Sequence, residues 1–440
     1  MRFTIAILLA VGAPLFTKSD PSKFDLATTG CAMAHCDTRM SDATRMTPPT
    51  GSNLQVVFHD PNPQGSGRAL GCASNGRMVA CTYANSDPSL PNLVVYDGDG
   101  NQKFSSGTLL DDKAAASVPM MDSSGGLIAA DDHVVVRYDS NGNILWQTPT
   151  PGGTPISPVI TRGGTVVLAT RGGPISVYSV KDGIYEGLLY PRDSGATDFY
   201  DTVNTPCVVE NRIYISMALR NDPQNTGRLY AFDISHSSNS PIRTAWYYTF
   251  GGPSGASPLC EKNAVYFDGN YLKPGNIGHH MIFAVRDDGS EGTLMWQRGV
   301  GGEILANMPL DPRGGLWYFA AGMGQLVRCD LDTGEVRQLI ETTALLGNGA
   351  NMQPASAMSM STDANSNPLM TLSLQAIPNN SGGSYVVNVN LVSGTVNWAF
   401  MVAADATLDR AQGQFPIVHG IDGSARVAFS TWYHGLYLIK

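Results

Sequence analysis

Charge is scarce in this sequence. Asp, Glu, Lys and Arg make up only 15% of its 440 residues, and no cluster of Lys or Arg stands out. With a formal net charge of −9, nucleic acid and anionic membrane surfaces are poor partners. GxxxxGK[ST], HExxH, CxxCH, GxSxG and paired CxxC patterns are all missing. Their absence excludes the commonest motif-borne phosphate, zinc, haem and serine-hydrolase chemistries. Beyond Phe16 no apolar run approaches the ~20 residues that a membrane-spanning helix needs. What the chain has instead is glycine and proline, 48 and 27 of them, scattered without period among 42% hydrophobic residues. Such a chain can bury a large core but must break it into short elements joined by tight turns. That is an all-β composition.

The first residues read as an address. Arg2 precedes the apolar run FTIAILLAVGAPLF (Phe3–Phe16), which gives way to Thr17, Lys18, Ser19 and Asp20. This is the form of a secretory signal peptide over 1–19, which sends the mature chain into the secretory pathway as a secreted or lumenal protein. The seven cysteines fit an oxidising compartment. Residues 20–52 form an irregular segment that carries Cys31 and Cys36 and has little else to hold it down. Cys72 and Cys81 flank the hairpin LGCASNGRMVAC, where Asn75-Gly76 is a type I′ turn signal. A two-residue turn there sets Cys72 opposite Val79 rather than Cys81. The expected bridges therefore run from Cys31 and Cys36 to Cys72 and Cys81, with connectivity open. A metal site made of Cys31, His35 and Cys36 lacks a second ligand pair, and no metal is expected. Cys207 and Cys260 hold similar places in neighbouring repeats, where they either bridge or pack in the core. One cysteine must remain unpaired and is expected to be buried. Asn379-Asn380-Ser381 is a glycosylation acceptor.

Internal repetition decides the architecture. An apolar strand, an acidic or Gly turn and a second strand recur as VVYDGDGNQKF at Val94, VVRYDSNGNILW at Val135 and SVYSVKDGIYEGLL at Ser176. They return from Leu229, Ile282, Leu326 and Tyr385, and the chain ends in the truncated copy GLYLIK. Trp146, Trp246, Trp296 and Trp398 all fall on the strand after the turn. A second pair of strands precedes each copy, so each unit has four antiparallel strands, A to D. Units that recur every ~38 to ~60 residues match propeller blades. The expectation is a single all-β propeller over 53–440. It has eight blades, or seven depending on how 69–107 is assigned. NLQVVFHD (residues 53–60) supplies the D strand missing from the last unit, a Velcro closure that removes exposed edges. A β-solenoid or two β-sandwiches would leave the half-unit at each end unexplained.

LYAFDIS at Leu229 and CDLDTGEV at Cys329 are similar to the LYAFDxxTGxxxW-like blade motif of the quinoprotein-like (PQQ-type) β-propellers. The resemblance covers about residues 53–440 and implies a fold, not an activity. Dehydrogenases of that family hold a quinone over a calcium ion, often beside adjacent cysteines; this chain has no Cys-Cys pair. Its leader, the early CAMAHC segment and a single degenerate propeller resemble the secreted fungal hetero-Diels–Alderases of tropolone–sesquiterpenoid pathways. That resemblance implies a hydroxymethyl-tropolone that loses water to a quinone methide and adds to a humulene-type alkene to form a dihydropyran, with no cofactor. The alternatives are a non-catalytic binding or scaffold propeller and a quinone-dependent dehydrogenase.

Propeller ligands usually sit over the central channel, on the face built by D–A and B–C loops. Dehydration needs an acid for the leaving hydroxyl, and Tyr200, Asp201, Glu303 and His434 can transfer protons. Arg410 and Lys113 can stabilise an oxyanion. Phe199, Met308, Trp432 and Tyr433 could wall an apolar pocket. Asn307, Gln353, Gln412 and Gln414 add polar contacts from the same loops. Each also has a plain structural use, in turn capping, solvation or packing.

Overall fold

Strands B and C of each repeat are near-continuous apolar runs, as strands buried on both faces must be. TVVLATR (Thr165–Arg171) is buried at all but its last position, and ISVYS (Ile175–Ser179) throughout. The outermost strand instead alternates, as in ILWQTP (Ile144–Pro149), where only Trp146 is buried. In the computed structural model these strands build eight antiparallel sheets arranged as an eight-bladed propeller. The structure describes residues 24–440 except 62–70, 203, 223–225, 237–238, 253–254, 271–279, 303, 305–306, 320–322, 347–351, 355, 377–382 and 405–408. Residues 1–19, expected from sequence to be a signal peptide, Glu303 and the Asn379 sequon lie outside the described residues. Blades 1 to 7 span 72–105, 120–149, 154–189, 200–250, 259–299, 310–341 and 352–403. Blade 8 spans 411–439 and takes its outer strand from Val56–Asp60. No helix among the described residues is long and apolar enough to cross a membrane.

The tryptophans explain why the repeat carries them. Each Trp on a D strand donates its indole N–H to the next blade's turn. Trp146 reaches the Val180 carbonyl at 2.9 Å, Trp246 the Asp287 carboxylate at 2.9 Å and Trp296 the Leu331 carbonyl at 2.8 Å. Trp398 reaches the Pro49 carbonyl at 2.8 Å, just before the closing strand, so the N-terminal segment supplies what a turn supplies elsewhere. Gly183 and Gly334 hold φ of +70° and +69°, and a Cβ on either would lie 2.6 Å from the neighbouring indole. Glycine is needed there on both counts.

The closure forms as the sequence indicates. Val56–Asp60 pairs antiparallel with Gly435–Ile439, with a bulge between Val56 and Phe58. Asp60 then accepts from the hydroxyls of Tyr83 and Tyr96 in blade 1, which locks the last blade to the first.

The cysteine pairing corrects the expectation. Cys31 bonds Cys36 and Cys72 bonds Cys81, so no disulfide joins the N-terminal segment to the first hairpin. The cause is local. Asn75 caps the turn with its side chain, accepting from the Arg77 and Met78 amides, and opens a four-residue loop. That shifts the register by two and sets Cys72 opposite Cys81. Cys207 bonds Cys260, tying the inner strands of blades 4 and 5, and Cys329 is left free and buried. Three disulfides point to an oxidising environment.

Candidate functional site on the propeller axis

In a ring of blades the innermost strand of each sheet presents an edge of unpaired backbone groups to the channel. Here the segment after residue 24 occupies that channel and meets those edges in turn. Cys31 and Ser74 exchange two main-chain hydrogen bonds in blade 1, and Met121 donates to Ala32 in blade 2. The carbonyls of Thr38, Arg39, Ser41 and Asp42 accept from Val208, Cys260, Leu310 and Met360, one in each of blades 4 to 7. Gln414 of blade 8 accepts from the His35 amide at 2.7 Å and donates to the Met33 carbonyl at 2.7 Å. Met33 and Met40 join the hydrophobic cluster that includes Val159 and Ile160 of blade 3. The segment expected to hang on disulfides is thus an axial plug that hydrogen-bonds to seven of the eight blades.

At its centre stands a His–Asp pair. His35 Nδ1 lies 3.0 Å from Asp42 Oδ1; Asp42 is fully buried, and the imidazole is 18% exposed. Asn307 reaches the same ring at 3.5 Å while exchanging two hydrogen bonds with the Met358 backbone. Asn307 precedes the paired part of its A strand, Leu310–Asp311, and Gln414 lies between the two paired pieces of its own, Ala411–Gln412 and Ile417–His419. The pair therefore lies on the D–A side of the contacts made by Thr38, Arg39 and Ser41. Burial opposes the imidazolium, but the charge and hydrogen bond of Asp42 outweigh it, so the His35 pKa sits above its ordinary value. His35, Cys36, Met40 and Asp42 hold φ of 57°, 71°, 59° and 54°. Half of the described non-glycine residues at positive φ fall in this one loop. Backbone strain of this kind persists only where the surroundings enforce it, and it gathers at functional sites.

The residues expected from sequence separate into groups. Asn307 and Gln414 join the axial pair. Arg410, Trp432, Tyr433 and His434 meet on the rim of blade 8. Asp409 Oδ2 lies 2.6 Å from His434 Nδ1, and Asp409 Oδ1 accepts from the Arg410 and Tyr433 amides. The Arg410 guanidinium sits 5.0 Å from the Trp432 ring. Tyr200, Asp201 and Phe199 lie in blade 4, four blades away around the ring. Tyr200 is 1% exposed, with its ring packed under Arg228, which also pairs with Asp193. Asp201 caps the Gly172 and Thr202 amides, and Phe199 packs on Tyr190 and Arg220. Lys113 pairs with Asp112 at 2.6 Å on the surface. Met308 and Gln353 are buried in blades 6 and 7, and the Gln412 carbonyl accepts from Ser430.

The family model described as outer membrane protein assembly factor BamB, a PQQ-type propeller, matches residues 41–271, just over half of the chain. The chain belongs to this family. No curated protein sequence matches it. Among solved structures it is similar to a europium-containing methanol dehydrogenase, at 12% identity and TM-score 0.60, covering 91% of this chain and 89% of that one. It is also similar to the computationally designed Ika8 protein, at 12% identity and TM-score 0.55, covering 87% and 99%. The Dos1 propeller matches at 10% identity and TM-score 0.54, covering 88% and 94%. At such identities the likeness establishes the PQQ-type propeller fold alone.

A cation–quinone pair on the axis of this PQQ-type propeller would need several carboxylate or amide oxygens aimed at one point. The described plug residues 31–42 offer two carboxylates: Asp42, already bonded to His35, and Asp37, whose oxygens already accept from Arg39 and Ser41. Both amide groups of Asn307 and Gln414 are spent on backbone or on His35. That donor set does not fit a quinone held over a metal ion.

The axial pair is what sequence reasoning missed. His35 entered only as a partner of Cys31 and Cys36 in a metal site, which the Cys31–Cys36 disulfide rules out. The available signal was a histidine beside a cysteine-clamped loop with Asp37 and Asp42 close behind, in a stretch with neither helical nor strand period.

Proposed function

We propose that this propeller dehydrates a hydroxymethyl-tropolone to a quinone methide and guides its hetero-Diels–Alder addition to a humulene-type alkene. The reading carries forward the sequence resemblance, and the single observation that supports it is the His35–Asp42 pair. An imidazolium with a raised pKa, partly exposed on the D–A side, can donate a proton to the departing hydroxyl as the C–O bond breaks. The same imidazole then takes the tropolone's hydroxyl proton, so one water leaves and the dyad returns to its starting state. Cycloaddition forms a C–C and a C–O bond with no atom lost. It asks of the protein only that diene and alkene be held in near-attack geometry. In this reading Arg410 and His434 on the rim steady the tropolone oxygen. The chain acts as a secreted or lumenal protein in this reading, with small molecules as its partners.

A second reading, a binding or scaffold propeller without turnover, draws on the assembly-factor description of the family model. Incubation with hydroxymethyl-tropolone and humulene separates the two. The enzyme yields the dihydropyran as one stereoisomer, faster than the uncatalysed reaction. The same rate and isomer ratio with and without protein refutes the enzyme and favours the scaffold.

A further inference from the structure

A cavity of about 370 Å³ opens between blades 5 and 6, apart from the axial pair. Its walls are Val300, Tyr318, Met323, Val327, Val336 and Leu339, with Arg298 among them. Met323 and Leu339 are about half exposed, which leaves apolar side chains at the mouth facing water. The volume lies at the small end of the range for small-molecule pockets.

Arg298 breaks the apolar pattern. Its Nη1 donates to the Gly334 carbonyl at 3.2 Å. Its Nε is buried without an acceptor, and among the described residues no carboxylate pairs with it. The neighbouring Arg313 and Arg328 both pair with Asp311, whereas Arg298 has no such partner among the described residues. A guanidinium set in an apolar wall without a counter-charge is costly unless an anion completes it. The cavity supplies the space for that anion, and its walls ask for an apolar body behind it.

We propose that the cleft between blades 5 and 6 binds a small amphipathic organic anion, with its carboxylate or equivalent head on Arg298 and its apolar body against Val300, Val327, Val336 and Leu339. This site is independent of the axial chemistry. Arg recognises a carboxylate through paired N–H donors, and among the described residues only Nη1 of the Arg298 guanidinium is engaged, at the Gly334 carbonyl.

The test uses 1-anilinonaphthalene-8-sulfonate as a fluorescent probe of the whole protein, displaced by octanoate or by octanol. Octanoate should displace the probe at a concentration at least tenfold lower than octanol. R298Q should weaken probe binding roughly ten- to a hundredfold, the loss expected when a charge-assisted hydrogen bond is removed. It should also abolish the preference for octanoate. Equal displacement by octanoate and octanol in the wild-type protein overturns the proposal, as does unchanged probe affinity in folded R298Q. Should R298Q fail to fold, the wild-type competition alone decides.

Discussion

The Asp42 amide donates to the His35 carbonyl at 2.8 Å while the Asp42 carboxylate meets the His35 ring at 3.0 Å. The two residues thus close the loop 35–42 through backbone and side chain at once. The Asp42 carbonyl then accepts from Met360 of blade 7, and that of Ser41 from Leu310 of blade 6. The position of the imidazole is therefore set by the ring of blades, not by local propensity. A loop strained at four residues gains its geometry from contacts that only the assembled propeller provides.

The disulfides are a first point of test. Non-reducing peptide mapping should recover Cys31 with Cys36, Cys72 with Cys81 and Cys207 with Cys260, and Cys329 should react with thiol reagents only after unfolding. Burial pushes the Cys329 thiol up to about 12, which reinforces its inertness. Replacing Cys207 and Cys260 by serine opens a 53-residue span and should cost about 4 kcal/mol in denaturant unfolding. A link between the 31–36 and 72–81 peptides would contradict the described pairing.

Much of the fold was legible, and for a plain reason. Blade periodicity, the tryptophans of the D strands and the closing strand are local patterns repeated several times, and repetition exposes them. The plug is not repeated. Its hydrogen bonds reach residues up to 381 positions away, and TGCAMAHCDTRM carries no trace of them. The Cys72–Cys81 register was lost to one side chain, because Asn75 caps a four-residue loop where Asn-Gly usually makes a two-residue turn. Of the loop residues singled out from sequence, Arg410, Trp432, Tyr433 and His434 do gather, since one short D–A loop and one B–C loop of the same blade carry them. Tyr200 and Asp201 stand four blades away from them, a distance that depends on blade count rather than on any local signal.

Tyr200 separates packing from chemistry. Its ring is buried beneath Arg228 and beside Tyr230, so Y200A should destabilise the protein by roughly 3 to 5 kcal/mol, the usual cost of an emptied aromatic site. Y200F keeps the ring and should leave the denaturation midpoint nearly unchanged. A Y200A protein as stable as wild type would show that the ring does not pack as described.

The raised pKa of His35 has a consequence for stability. A histidine whose folded pKa lies above its unfolded value of about 6.5 contributes stability that is fully present below that pH. The contribution is lost as pH rises through the folded pKa. The melting temperature of the wild type should therefore fall relative to that of H35Q as pH rises from about 6.5 to about 9. Parallel melting curves across that range would mean the imidazole gains nothing from Asp42.

The most direct test of the account is the pH profile of kcat/KM for dihydropyran formation in wild type, H35Q and D42N. Asp42 is a positioning residue here, acting through His35, so its loss should move the profile as well as lower the rate. The wild-type rate should fall on the alkaline side as the imidazolium loses its proton. H35Q should lose about 10²- to 10⁴-fold, the range for general acid–base catalysis. D42N should lose less and shift the alkaline limb to lower pH, because the charge that raises the His35 pKa is gone. Rates and profiles in both variants that match the wild type would contradict a proton-transfer role for the axial pair.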